Sequence, residues 1–381
     1  MKTGAHTNFD FSERPFLAIW ETTRACDLAC VHCRASAEPT PAPNELNADD
    51  ALLLIDQVAD AGTPLLVFSG GDCLKRSDLL DLIYHAKSRK LRVGAIPAVT
   101  QALTVEKLQA MKDAGLDQVA FSLDSADPAV HDAFRRVSGV FERTLEAVRL
   151  ANQIGLRTQI NSLVNVHNQD SFDSLIALVR DLGIVFWEIF FLVPMGRGQE
   201  LPLMTGYKFE ATFEKIYALS KEVRFVIKVT EAPHYRRFCC EKSRQEGNAL
   251  AEISKHEMPD APLRQDSRGG IGRAPSGVNS GKGFLFISSR GDVMPSGFLP
   301  LAAGNIKETA VGDIYRDSPI FRLLRDTSFL KGRCGICNYK EMCGGSRARA
   351  YALSGDYFAE DPCCVYQPEG NAAALKGAGA L

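Results

Sequence analysis

From residue 16 to about 193 the chain alternates short apolar runs with longer stretches whose apolar residues recur at helical spacing. That alternation is the signature of βα units. The strand candidates are residues 16–21, 65–69, 91–97, 118–123, 158–164 and 184–193, each short and rich in β-branched or aromatic side chains. Helical stretches between them open at capping residues: Asn47, Ser77, Thr104, and Asp127 followed by Pro128 at the first helical position. Gly62, Gly115, Gly155 and Gly183 stand where a helix end favours a left-handed residue. Six successive βα units imply parallel strands and right-handed crossovers, an α/β fold curved into a partial (β/α)6 TIM-like barrel. Ligands then belong at the C-terminal strand ends, where the connecting loops converge.

The texture changes after residue 229. Residues 236–273 are polar, basic and poor in periodicity, carrying Arg236, Arg237, Lys242, Arg244, Lys255, Arg264, Arg268 and Arg273. A hairpin pattern follows from Gly283, with Arg290-Gly291-Asp292 as its turn. Beyond it lie Cys334, Cys337, Cys343, Cys363 and Cys364. The expected organisation is an N-terminal extension (1–15), a partial barrel (16–229), a basic linker or flap (230–275), a smaller cysteine-dependent domain (276–369) and a disordered Ala/Gly-rich tail (370–381).

Composition narrows the function. Lysine plus arginine number 44 against 46 aspartate plus glutamate, so no overall field favours nucleic acid or an anionic membrane. The N-terminus has no apolar signal core and no run approaches the ~18 apolar residues of a bilayer span, so the chain reads as cytoplasmic. In a reducing compartment its 11 cysteines are free, metal-bound or catalytic rather than a disulfide framework.

Cys26, Cys30 and Cys33 form C-x3-C-x2-C directly after the first strand candidate. A 4Fe-4S cluster given three thiolates keeps one iron open to bind and activate a small molecule. A zinc loop with His32 as fourth ligand is the alternative. The motif in this position resembles the radical SAM superfamily. The resemblance implies that the open iron chelates the amino and carboxylate groups of S-adenosylmethionine (SAM), whose reductive cleavage yields a 5′-deoxyadenosyl radical. Ser69-Gly70-Gly71-Asp72 matches the family's Gly-Gly-Glu segment that holds the methionine amine, with Asp72 shorter than the usual glutamate and Cys73 where proline is common. Ser122 and Asp124 match a ribose-contacting strand end. Asn161 and the Val193-Pro194-Met195-Gly196 turn occupy positions that contact SAM in relatives.

Cys334, Cys337, Cys343 and Cys364 read C-x2-C-x5-C-x20-C, with Cys363 an adjacent competitor for the last place. This resembles the C-terminal SPASM/twitch-type extension, whose full form carries seven cysteines and two auxiliary clusters. Here Ser296 and Ser346 stand where thiols of one auxiliary cluster are expected and residues 277–283 hold none, so one auxiliary 4Fe-4S cluster remains, in an electron-transfer or structural role. Cys73 reads as a packing residue, Cys239 and Cys240 as incidental, and His234 or Arg236 as candidate substrate contacts. The single-cluster spacing resembles enzymes of haem and haem d1 synthesis that modify porphyrin propionates, a substrate the basic stretch suits. The alternatives are a maturase acting on a ribosomally made peptide and a non-catalytic iron–sulfur redox or sensor protein. The partners implied are a small-molecule or peptide substrate and an electron donor such as a flavodoxin or ferredoxin.

Overall fold

The computed structural model describes residues 9–247, 271, 272, 274 and 277–368. Most of the extension, the basic stretch beyond residue 247 and the tail from residue 370 lie outside the described residues. Ten strands form one sheet: β1 (Leu17–Glu21), β2 (Leu65–Ser69), β3 (Arg92–Ala95), β4 (Gln118–Ser122), β5 (Arg157–Val164), β6 (Phe186–Phe191), β7 (Val226–Thr230), β8 (Phe284–Ile287), β9 (Asp292–Met294) and β10 (Gly304–Asn305). Their order is β10-β9-β8-β1-β2-β3-β4-β5-β6-β7. Each successive pair from β1 to β7 is parallel, and β8 runs parallel to β1.

All six expected strands form, and β7 adds a seventh that the pattern did not single out. Its β-branched run is interrupted by Lys228, which pairs with Glu188 of β6 at 3.2 Å. A lysine inside a strand reads as surface until its acidic partner on the neighbouring strand is known. The expected hairpin also forms, β8 with β9 around Gly291. It lies in the barrel's own sheet beside β1, so the smaller C-terminal part is built onto the barrel edge rather than standing apart.

The helices are α1 (Ala48–Asp60), α2 (Leu79–Ser88), α3 (Val105–Asp113), α4 (Pro128–Arg135), α5 (Val140–Gln153), α6 (Phe172–Arg180), α7 (Gly206–Ser220), α8 (His234–Gln245), α9 (Val311–Asp317), α10 (Pro319–Arg325), α11 (Gly332–Gly335) and α12 (Arg347–Ser354). Asn47 caps α1 reciprocally with Asp50, Thr104 caps α3 and Asp127 caps α4. Ser77 does not cap α2. The N-cap is Asp78, and Arg76 takes both of its carboxylate oxygens at 2.8 and 2.6 Å, leaving α2 without a side-chain cap. The expected helix-end glycines, Gly62, Gly115, Gly155 and Gly183, all have positive φ.

Helix α8 replaces the first part of the expected linker. Tyr235, Phe238 and Cys239 form an i, i+3, i+4 stripe buried against Phe213 of α7, and Cys240 is buried with them. The arginines that made this segment look solvated are satisfied internally. Arg236 donates to Met342 O at 3.1 Å and Val278 O at 2.6 Å. Arg237 pairs with Glu210 and with Glu241, the latter at 2.8 Å. His234 is buried against Phe209 and Phe213. None of the three is placed as the sequence reading had them, as carboxylate or substrate contacts, because most of their partners, Glu210, Met342, Val278, Phe209 and Phe213, come from other segments. Cys73 packs in the core, as expected. No helix among the described residues is long and apolar enough to cross a membrane.

Candidate active site

The cysteine loop leaves the C-terminal end of β1 and is clamped from two sides. On the β2 side, Gly71 N donates to Thr23 O and Asp72 N to Ala25 O, both at 2.7 Å. A Cβ on Gly71 would lie 2.4 Å from Ala25 O, so only glycine lets the two backbones approach this closely. On the β6 side, Arg197 donates from Nε to Cys30 O at 2.9 Å and from Nη1 to Ala37 O at 3.0 Å. Gly196, with φ +53°, brings its Cα against Cys33 O and Arg34 O, where a Cβ would clash at 2.5 and 2.3 Å.

Each sulfur of the triad accepts an N–H bond. Leu28 N reaches Cys26 Sγ and Ala37 N reaches Cys33 Sγ, both at 3.4 Å, and Arg135 Nη1 lies 3.6 Å from Cys30 Sγ. Such donors favour the thiolate and tune an attached cluster. Burial pushes the Cys26 thiol up to about 12, so in the bare loop it keeps its proton and a metal must displace it. Among the described residues no three His, Cys, Asp or Glu side chains close around a single ion. The zinc alternative asks His32 to complete the thiolate set. The His32 ring is instead stacked on Phe134, centroids 4.4 Å apart.

A cavity of about 280 Å³ opens over the loop. Its wall contains Cys26, Cys30, Cys33, Gly70, Gly71, Ser122, Asp124, Asn161 and Val193, so sequence-predicted residues from five strands and the segments after them converge on one space. Asp72 stands just behind that wall. Its Oδ1 accepts from Leu74 N and Ala98 N at 3.1 Å each, while Oδ2 is buried without a hydrogen-bond partner. Burial raises its pKa, and a cationic ligand would offset that.

Asp124 is committed inside the protein. Oδ1 accepts from Leu163 N at 2.9 Å and Oδ2 pairs with Arg135, placing that guanidinium beside Cys30. Burial alone would raise the Asp124 pKa, but Arg135 and the neighbouring histidines hold it below the usual value. Asn161 Oδ1 accepts from Gln159 Nε2 at 2.7 Å.

Sequence reasoning missed Arg135, because nothing in the α4 sequence marks which arginine turns inward. It also missed other lining residues, Phe190, Phe284, Phe286, Phe298 and Arg34. Arg34 directly follows Cys33, so its position was visible although its role was not. Its guanidinium lies 4.4 Å over Phe286 and pairs with Glu21 at 2.5 Å.

His131 and His234 carry a pH dependence. Burial lowers them to about 4 and about 3, although Asp124 and Asp361 lie 3.9 and 3.7 Å from their ring nitrogens. Asp132 and Arg135 also face His131, and Arg349 and Arg237 face His234. The unfolded chain takes up these protons near 6.5, so the stability they confer is complete above that pH and falls as pH drops toward 4. With His32, which burial lowers to about 3, the three sites predict a loss of about 4 kcal/mol per pH unit in that window. Denaturant melts between pH 7 and 5 check this, and a flat profile contradicts it.

The second cysteine set shares the same sulfur chemistry. Asp361 N donates to Cys334 Sγ, Tyr339 N to Cys337 Sγ and Gly345 N to Cys343 Sγ, each at 3.4 Å. Burial pushes the Cys343 thiol up, and Arg333 Nη1 donates to Cys364 O at 2.7 Å. Cys363 turns away into the core, with Sγ 3.9 Å from Met204 O.

Residues 20–182 match the family model described as Radical SAM superfamily. The chain is 38% identical to the AdoMet-dependent heme synthase of Methanosarcina barkeri over 93% of this chain and 97% of that protein. It is also 38% identical to the AdoMet-dependent heme synthase of Nitratidesulfovibrio vulgaris, covering 96% of each. Streptococcus suis SuiB, solved with its precursor peptide SuiA, shares the fold with a TM-score of 0.70 at 16% identity, over 93% of this chain and 76% of that one.

Proposed function

Because this chain belongs to the radical SAM superfamily, we propose that its cavity binds SAM over Cys26, Cys30 and Cys33 and presents a propionate-bearing tetrapyrrole for hydrogen abstraction. The observation that carries the substrate is the cavity itself. Beside the thiols and strand-end polar groups, its lining holds four aromatic rings, Phe190, Phe284, Phe286 and Phe298, suited to a flat macrocycle. The similarity to heme synthases over nearly the whole chain supports the same reading.

When bound, the three-thiolate cluster supplies the electron that cleaves SAM to a 5′-deoxyadenosyl radical. The rest is the work of side chains. Asp72 Oδ2 accepts the SAM ammonium, which gives the buried orphan oxygen its partner. Ser122 and Asn161 contact the nucleoside from the ends of β4 and β5. Asp124 acts by holding Arg135 against Cys30. Arg34 gives Nη2 to Glu21 and, over Phe286, offers its remaining donors to a substrate carboxylate, the role the sequence reading gave to Arg236 and Arg237. Residues 16–229 thus carry SAM chemistry, and residues 276–369 carry an auxiliary cluster on Cys334, Cys337, Cys343 and Cys364. A flavodoxin or ferredoxin donates the electron.

Asp72→Ala is expected to raise the SAM dissociation constant about ten- to a hundredfold, the cost of one charge-assisted hydrogen bond. Equilibrium binding checks it, and unchanged affinity removes that role from Asp72. Arg34→Ala should weaken an iron porphyrin bearing propionates by about the same factor while SAM affinity holds. Equal weakening of both ligands contradicts this assignment. The proposal as a whole is tested by titrating the reduced enzyme with iron porphyrins, following visible absorbance, and then adding SAM and measuring product mass. No porphyrin binding, alongside SAM-dependent mass change in a small peptide encoded beside the gene, would move the function to peptide maturation.

A further inference from the structure

Two serines fifty residues apart in sequence meet at one carboxylate. Ser346 Oγ donates to Glu231 Oε2 at 2.5 Å, and the Ser296 hydroxyl lies beside the same buried side chain, where it works against the rise that burial imposes on the carboxyl. These are the two positions at which serine stands where the sequence analysis expected thiols. Glu231 sits just past β7 with φ +59°, a left-handed conformation that a non-glycine residue keeps only when its surroundings impose it. Arg349 supplies part of that constraint by donating from Nη2 to Glu231 O at 2.6 Å. The fully buried Arg349 also takes Asp361 at 3.0 Å and Leu192 O at 3.2 Å.

Each end of the bridge leads to a functional part. Ser296 Oγ accepts from Phe298 N at 3.1 Å, and Gly297 and Phe298 are cavity wall. Ser346 follows Gly345, whose N–H bonds Cys343 Sγ. Ser346 N also donates to Asp361 Oδ2 at 2.9 Å, and Asp361 N in turn bonds Cys334 Sγ. A single carboxylate therefore joins the wall that would face the substrate to two of the N–H···S bonds of the second cysteine set.

We propose that Glu231 is a positioning residue, a side-chain staple at Ser296 and Ser346 in place of metal ligation, which fixes the N–H donors around Cys334 and Cys343 relative to the cavity wall. The inference rests on reading Cys334, Cys337, Cys343 and Cys364 as a cluster site. Hydrogen bonds to cluster sulfurs set the potential, so loosening Ser346 must appear there, whereas loss of packing elsewhere need not.

The test uses the Cys26/Cys30/Cys33→Ala protein, in which the second set alone holds iron, and reads the midpoint potential and the EPR spectrum of its reduced cluster. Glu231→Ala is expected to shift both, and Glu231→Gln, which can still bond both serines, to return them toward the parent. Ser346→Ala should give a similar shift, to which Glu231→Ala adds little, because both changes cut one chain of contacts. Parent-like signals in Glu231→Ala, or fully additive shifts, overturn the proposal. If Glu231→Ala retains no iron, Ser346→Ala decides, and parent-like signals there overturn it equally. A background protein without iron overturns the cluster reading and this inference with it.

Discussion

Replacing Cys26, Cys30 and Cys33 together with alanine is expected to abolish SAM cleavage while leaving about half of the iron. The two cysteine sets belong to different parts of the chain. The first is clamped by Arg197, Gly71 and Gly196 at the mouth of the barrel, and the second by Asp361, Tyr339 and Gly345 beyond the hairpin. Neither clamp uses a residue of the other, so one set can empty without unfolding its neighbour. Anaerobic reconstitution should give about eight irons per chain in the parent and about four in the variant, one cubane for each set. The variant should form no 5′-deoxyadenosine under a strong reductant. Loss of all iron would show that the sets are not independent, and continued cleavage would remove SAM from the triad.

Cys343→Ser is expected to stop product formation while SAM cleavage continues. A propionate carbon radical that finishes as an alkene must give up one electron and also break a bond on the neighbouring carbon, losing either the carboxylate as CO2 or a proton. On the function proposed above, Cys334, Cys337, Cys343 and Cys364 would hold the acceptor. Cys343 Sγ accepts from Gly345 N at 3.4 Å, and serine binds iron less readily than a thiolate. Because the triad is untouched, 5′-deoxyadenosine should still accumulate with little or no product beside it. The ratio of product to 5′-deoxyadenosine is the readout. A ratio equal to the parent's, in a protein shown to have lost half its iron, would leave the second set with a structural role only.

What the sequence made legible was what is locally encoded. Strand runs, the caps at Asn47, Thr104 and Asp127, and the helix-end glycines each follow from a few adjacent residues, and they formed where expected. The convergence of Cys26, Gly70, Ser122 and Asn161 on one cavity was legible too, because parallel strands place successive C-terminal ends at the same mouth. What was not legible depended on distant partners. Lys228 hid β7 because Glu188 lies on another strand, and the arginines of α8 looked solvated because Glu210, Met342 and Val278 come from elsewhere. The same limit gave Asp124 a ligand role when its carboxylate is occupied by Arg135 and Leu163 N. The serines at 296 and 346 were seen as missing thiols, but the carboxylate that joins them appears only when β7 is in place.

The account rests most heavily on hydrogen abstraction from a tetrapyrrole side chain within the aromatic-walled cavity. The measurement that tests it most directly uses an iron porphyrin deuterated along its propionate chains, incubated anaerobically with the reconstituted, reduced enzyme and SAM. Mass spectrometry of the 5′-deoxyadenosine then reads where its new hydrogen came from. Deuterium in that product, together with a matching change in porphyrin mass, is the predicted result; 5′-deoxyadenosine free of deuterium, with the porphyrin unchanged, would contradict the account.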